Sequence, residues 1–184
     1  MKALDRCLQK QRINKVRGYI KPGEKVLDVG CGADPVLLKS LPTHLGVGVD
    51  PTAKESVQNE KLKLYQGYFP DALPEIYRHD FFDKIIFLAV LEHIPENKLN
   101  SFCEACYQAL RHQGQLLLTV PDKKVDYILE ALKFAHLIDG MSLEEHHGYD
   151  TRQTESLFKK FGFNLDAHIK FQWGLNNLFV FRKS

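Results

Sequence analysis

Two acids and two glycines early in the chain have the types and spacing to hold a small molecule. Asp28 is followed by Gly30 and Gly32 in the run Val26-Leu27-Asp28-Val29-Gly30-Cys31-Gly32-Ala33-Asp34-Pro35. Glycines at alternate positions let the backbone turn sharply and let a ligand approach with no Cβ in the way. Asp50 closes the run Leu45-Gly46-Val47-Gly48-Val49 and precedes Pro51. A carboxylate there can accept hydrogen bonds from both hydroxyls of a ribose, or can serve a turn before proline. The dinucleotide fingerprint G-x-G-x-x-G needs a glycine at position 35, which is Pro35. That weighs against a pyrophosphate site and leaves an adenosine ligand of another kind.

These residues must be positioned by strand ends. Short β-like runs fall at Lys25–Val29, 45–49, Leu62–Gln66, 82–89 and 115–120, with two late ones at Phe163–Phe171 and 178–182. Helical spacing appears at 4–20, 97–110, 125–138 and 151–161. The middle runs, as in IIFLAV and LLLTV, are apolar on both faces, which suits parallel strands buried between two layers of helices. Alternating β and α implies an open α/β sheet, and ligands bind such sheets beyond the carboxyl ends of the strands. Pro95 is expected in the first turn of the helix after the fourth strand. Gly114 is expected as its left-handed cap, and Thr151 as the cap of the last helix.

The chain has 184 residues, 44% hydrophobic and 26% charged, as in an ordinary globular protein. We expect a single domain over 1–184, with an N-terminal helix at 1–21 and a helical or loop insertion at 122–150 over the active edge. A net charge of +2 gives no strong pull toward nucleic acid. No apolar run is long enough to span a bilayer, and the N-terminus lacks the apolar core of a signal peptide; a cytoplasmic protein is expected. Cys103 and Cys106 form a C-x-x-C within a helical stretch with no second pair nearby, so the four cysteines read as reduced thiols packed as small hydrophobes rather than as a metal site.

Taken in order, VLDVGCG, GVGVDP, FDKIIFLAVLEHIPE and QALRHQGQLLLTVPD resemble the class I S-adenosylmethionine (SAM) dependent methyltransferases, and FGFNLDAHIKFQWGLNNLFVFRK is similar to that family's closing strand pair. The resemblance runs from about Arg12 to the end. It implies an α/β, Rossmann-like, seven-stranded and mostly parallel sheet, with helices on both faces and an antiparallel last strand. It implies SAM as cofactor. Gly30, Cys31 and Gly32 would pass under its methionine part, and Asp28 would orient the loop or meet the amino group. Asp50, with Pro51 beside it, would hold the ribose. Leu88 and Ala89 would offer backbone groups. Two departures stand out. Asp34 replaces a glycine common in the family, and Gly67-Tyr68-Phe69 replaces a common acid after the third strand. A backbone group at Tyr68 or Phe69, or packing by Phe69, would then serve the adenine.

Methyl transfer needs a nucleophile held near the methyl, and a base where that nucleophile is a hydroxyl. His93, directly after the fourth strand, is one candidate base; packing of the loop beneath the cofactor is its alternative role. His146 and His147 follow two glutamates and precede Gly148-Tyr149, as either base and substrate contacts or a solvated turn. No third ligand accompanies them, so no metal is expected. Tyr149, Gln172, Trp173 and Asn176 are candidate substrate contacts, the last three on a hairpin beside the active edge; good turn chemistry explains them equally. No Asn/Asp-Pro-Pro-Tyr/Phe segment follows the fourth strand and no Pro-Cys pair occurs, which turns the expectation away from base methylation. The expected reaction is transfer to an oxygen or nitrogen of a small molecule or biosynthetic intermediate. The alternatives are an RNA or protein methyltransferase and a non-catalytic SAM-binding partner subunit. The first helix carries Lys2, Arg6, Lys10, Arg12, Lys15, Arg17 and Lys21 against Asp5 alone. It reads as a charged solvated face or as a contact to an anion.

Overall fold

The computed structural model describes residues 3–54, 56–122 and 150–184. The elements are α1 (Ala3–Arg17), β1 (Lys25–Val29), α2 (Val36–Lys39), β2 (Leu45–Asp50), β3 (Ser56–Asn59), β4 (Leu62–Gln66), β5 (Phe82–Leu88), α3 (Glu96–Ala109), β6 (Leu110–Pro121), α4 (Thr154–Lys159), β7 (Phe163–Phe171) and β8 (Asn176–Lys183). They form one sheet in the order β3-β4-β2-β1-β5-β6-β8-β7. Parallel pairing joins β4, β2, β1, β5 and β6. The closing strand β8 runs antiparallel to both β6 and β7. The seven expected strands are therefore present. An eighth, β3, was not foreseen; it pairs antiparallel with β4 at the edge. Ser56-Val57-Gln58-Asn59 is too short to show a period of its own.

Alternation along the strands divides the core into two layers. Leu27, Ile85, Phe87, Leu116, Leu118, Phe179 and Phe181 face α3 and α4, where Phe102, Cys103, Cys106 and Phe158 are buried. Val26, Ile86, Leu117, Leu178 and Val180 face the other way, against Ile13 and Val16 of α1 and Leu37 and Leu38 of α2. Runs such as IIFLAV are apolar throughout because both faces are covered.

Local boundaries differ from expectation in four places. The first helix stops at Arg17, three residues short of Ile20. Pro95 stands just outside α3, with an extended ψ of 140° at the N-cap position. Gly114 is not the left-handed residue after α3. The helix ends at Ala109 with an extended Leu110 at its C-cap, and the positive φ nearby, 61°, belongs to Gln113 within β6. Gly114 is instead held by crowding, because a Cβ there would lie 2.8 Å from Leu110 Cγ. Asp150 rather than Thr151 caps the turn before α4, accepting from Arg152 N at 3.0 Å; a carboxylate competes well for that role. Cys103 and Cys106 are fully buried free thiols, as expected, whereas Cys7 is exposed. Burial pushes the Cys103 thiol up to about 12, which keeps it protonated and unreactive.

Candidate active site

The sheet reverses its winding between β1 and β5. The chain steps from β1 outward through β2 to β4, then returns to the other side of β1 as β5. The carboxyl ends of β1 and β5 therefore bound the crevice in which open α/β sheets bind ligands. Two turns meet there. The turn after β1 carries Gly30 at φ 78° and Gly32 at φ 72°, and the turn after β5 carries Ala89 at φ 58°. A left-handed non-glycine residue costs about 1–2 kcal/mol. Ala89 is held in it by its backbone N–H, which donates to Thr119 O at 3.0 Å and Thr119 Oγ1 at 3.1 Å. A Cβ built on Gly30 would lie 2.5 Å from Val90 Cγ2. Glycine is required at position 30 because Val90 closes against it across the crevice. Gly32 has no neighbour within 4 Å of such a Cβ, so its open side is free for a ligand.

Asp50 ties the site together. Its Oδ2 accepts from Gly32 N at 2.9 Å, and its Oδ1 accepts from Thr52 N at 2.7 Å and from Thr52 Oγ1. Its carbonyl accepts from Gly67 N at 3.1 Å. One residue thus fixes the glycine loop, the turn at Pro51-Thr52 and the start of the segment after β4. The two readings of Asp50 as ligand acid and as turn acid are compatible, since a carboxylate has about four acceptor sites. Thr52 was not singled out in the sequence. Its place two residues after an aspartate is the Asx-turn pattern that would have found it.

Asp28 sits at the carboxyl-terminal end of β1 and is only 4% exposed. Burial and the nearby Asp50 charge raise its carboxyl from 3.8 to about 8, with no hydrogen bond offsetting them. Two acids at adjacent strand ends beneath a glycine loop make a site that gains from a cation. A ligand bearing a sulfonium and an ammonium group beside a ribose suits this donor set.

The other candidates are spread along the same edge. Leu88 closes β5 and pairs with Thr119 of β6. His93 lies half-buried on the 3-10 turn Leu91–His93 just beyond it. Cys31 is buried with its Sγ toward Gly48, where a Cβ would meet it at 2.7 Å. Burial, then Asp28 and Asp50, push that thiol far up, so it fills space beneath the loop. Pro51 and Tyr68 are exposed. Phe69 is half-buried, its ring edge-on to Phe102 at 5.2 Å. Asp34, where the family commonly has glycine, is exposed and pairs with Lys39 at 2.8 Å across α2.

At the far end, the β7–β8 hairpin holds Gln172 and Trp173 at φ 51° and 56°. Gln172 Nε2 donates to Leu8 O of α1 at 3.2 Å, and Asn176 Nδ2 donates to Gln172 Oε1 at 3.1 Å. Asn176 is buried and spends its amide inside the hairpin, whereas Trp173 is 94% exposed. His146, His147 and Tyr149 lie outside the described residues.

The sequence matches the methyltransferase domain family over residues 2–168. The chain belongs to that family. Its fold is that of the class I SAM-dependent methyltransferases, and the glycine loop, Asp28 and Asp50 stand at the carboxyl ends of β1 and β2. The mitochondrial ubiquinone biosynthesis O-methyltransferase of Rattus norvegicus is 28% identical over 181 residues, covering 87% of this chain and 50% of that protein. The Mus musculus protein of the same name is 28% identical over 166 residues, 79% of this chain and 42% of its own length. This chain spans half or less of the length of these curated relatives. Among solved structures, the magnesium protoporphyrin IX methyltransferase of Synechocystis PCC 6803 with bound SAH superposes with a TM-score of 0.64 at 16% identity. That match covers 96% of this chain and 84% of the other. The PH0226 protein of Pyrococcus horikoshii OT3 gives a TM-score of 0.67 at 19% identity over 96% of this chain and 92% of its own. At these identities the structural likeness speaks for the fold.

Proposed function

We propose that this methyltransferase moves a methyl group from SAM to an oxygen or nitrogen of a small molecule. The observation that carries the cofactor side is the pair Asp28 and Asp50, one buried and one anchored, flanking the Gly30–Gly32 turn. The small-molecule acceptor is supported by the curated relatives, which are named for O-methylation in ubiquinone biosynthesis.

SAM supplies an electrophilic methyl on a sulfonium. In this reading Gly30 and Gly32 present backbone under its amino-acid part, and Asp28 accepts from its ammonium group. Asp50 accepts from a ribose hydroxyl through the Oδ2 lone pair that Gly32 and Thr52 leave open. The left-handed turn at Ala89 brings backbone groups of Leu88 and Ala89 beside the sulfonium. Tyr68 and Phe69 border the adenine, Phe69 by ring packing in place of the acid common elsewhere in the family. His93, on the turn after β5, accepts the proton of a hydroxyl acceptor. Gln172, Trp173 and Asn176 form the hairpin wall of the acceptor side. His146, His147 and Tyr149 belong to the same proposal as further base and acceptor contacts.

The test is calorimetric titration with SAM and SAH, followed by incubation of labelled SAM with a metabolite extract. Binding with transfer of label to a small molecule is expected. Binding without any product would leave only a cofactor-binding subunit, and absence of binding would end the proposal.

A further inference from the structure

We propose that Thr119 is a positioning residue for the cofactor, its hydroxyl turning the Leu88 carbonyl into the crevice where the SAM sulfonium sits. The inference rests on the methyl-transfer reading, which puts the Leu88–Ala89 backbone beside that sulfonium.

Thr119 lies near the carboxyl end of β6, where the ladder pairs it with Leu88 of β5 and Leu178 of β8. Leu178 pairs in turn with Ile169 of β7. Thr119 is thus the one polar member of the cross-strand row Leu88-Thr119-Leu178-Ile169. Its neighbours Leu118 and Val120 belong to the α3 layer, so alternation turns Thr119 to the α1 layer with Leu117 and Leu178. It is fully buried there. Valine has the same shape and the same preference for strands, and packing alone favours it at this place.

The hydroxyl makes one contact. Its Oγ1 accepts from Ala89 N at 3.1 Å, beside the ladder bond from the same N–H to Thr119 O at 3.0 Å. Among the described residues its own proton meets no acceptor. A buried donor without an acceptor costs free energy, so the fold gains nothing from threonine over its apolar isostere. Local rules broken in this way mark places under a functional demand.

The demand here is a peptide plane. Two acceptors on one N–H fix the plane of the Leu88–Ala89 peptide, from which the left-handed turn at Ala89 begins. That peptide is trans, so its C=O points opposite to its N–H. β5 lies between β1 and β6. With the Ala89 N–H held toward β6, the Leu88 carbonyl points back toward β1. The β1–β5 ladder ends at Asp28 and Ile86, so this carbonyl lies past the last rung, on the crevice side. A carbonyl oxygen there presents negative charge to a sulfonium, and Thr119 holds it from behind.

The experiment measures SAM and SAH affinity by calorimetry, and unfolding temperature, in the full protein and two variants. Thr119→Val is expected to keep or raise the unfolding temperature while weakening SAM about twofold to tenfold. The loss for SAH should be smaller, because SAH lacks the sulfonium charge. Thr119→Ser keeps the hydroxyl and should do the reverse. Its unfolding temperature should fall with the lost methyl, and its SAM affinity should stay near the parent value. Exchange of the Ala89 amide should quicken more in Thr119→Val than in Thr119→Ser. Unchanged SAM affinity in Thr119→Val would overturn the proposal, and so would an equal loss for SAM and SAH. Either result beside normal SAM binding by the parent would remove the positioning role and leave the cofactor reading standing. A parent protein that binds no SAM would end both.

Discussion

The two halves of the sheet are built by different means. In the half made of β1, β2 and β4, the connections are short: α2 is a single turn, β3 stands between β2 and β4, and only a 3-10 turn precedes β5. Order there comes from backbone geometry and from one carboxylate. Gly30 N donates to Val49 O, while Gly32 N and Gly67 N both reach Asp50. The half made of β5, β6, β7 and β8 is held by rings. Phe158 lies 5.0 Å from Phe181, 5.7 Å from Phe163 and 6.2 Å from Phe87. The first half shapes a crevice edge through turns that few residues can make. The second specifies a scaffold through packing that many residues can make, and leaves its ligand contacts to loops.

That difference can be broken from either side. The largest effect belongs to the aromatic half. Phe158→Ala should cost about 3–5 kcal/mol of stability, measured by chemical denaturation, while SAM affinity of the folded fraction stays near the parent value. A large loss of affinity in folded protein would show that the halves are not separable.

Asp50→Ala should act the other way. Losing charge-assisted hydrogen bonds should weaken SAM about tenfold to a hundredfold, read by calorimetry. Unchanged affinity would remove Asp50 from the ribose site.

Gly30→Ala places a methyl 2.5 Å from Val90 Cγ2 on a backbone at φ 78°, and should cost about 1–3 kcal/mol by overpacking. Val90→Ala in the same chain should recover the steric part and leave the backbone part. No recovery would mean that strain at φ 78° accounts for the whole loss.

Asp28 gives a smaller, pH-dependent effect whose sign is fixed. Its carboxyl is raised from 3.8 to about 8 in the folded chain. Its contribution to stability is complete below pH 4 and is lost as pH rises through about 8, because the unfolded chain gives up that proton first. Asp28→Asn should therefore raise the unfolding temperature more at pH 9 than at pH 5. An equal change at both would show that Asp28 is not the buried acid described.

Legibility followed the same division. Gly30, Gly32 and Asp50 were readable because turns of that geometry admit few residue types, and Asp28 because a charged residue interrupts an otherwise apolar strand. The central strands β1, β2, β5 and β6 were readable from their two-sided burial. Val90 was not, since nothing in Leu-Ala-Val-Leu-Glu-His distinguishes a crevice residue from a core one. Gly114 read as a helix cap, whereas α3 ends on an extended Leu110 and Gly114 is held by the lack of space beside Leu110; sequence cannot separate those two uses. Asn176 read equally as a ligand contact and as a turn residue, and its amide donates to Gln172 within the hairpin. On the acceptor side, polar side chains serve turns and ligands equally, so residue type alone carries little information.

The proposed cofactor site at the Asp28–Asp50 edge suits a cationic adenosine ligand. Calorimetric titration of SAM at pH 7, in two buffers of different ionisation enthalpy, tests it most directly. Burial and Asp50 hold the Asp28 carboxyl up to about 8, so it should ionise against the bound cation and binding at that pH should release up to about one proton. That release should vanish in Asp28→Asn. No binding, or binding with no proton released, would contradict the account.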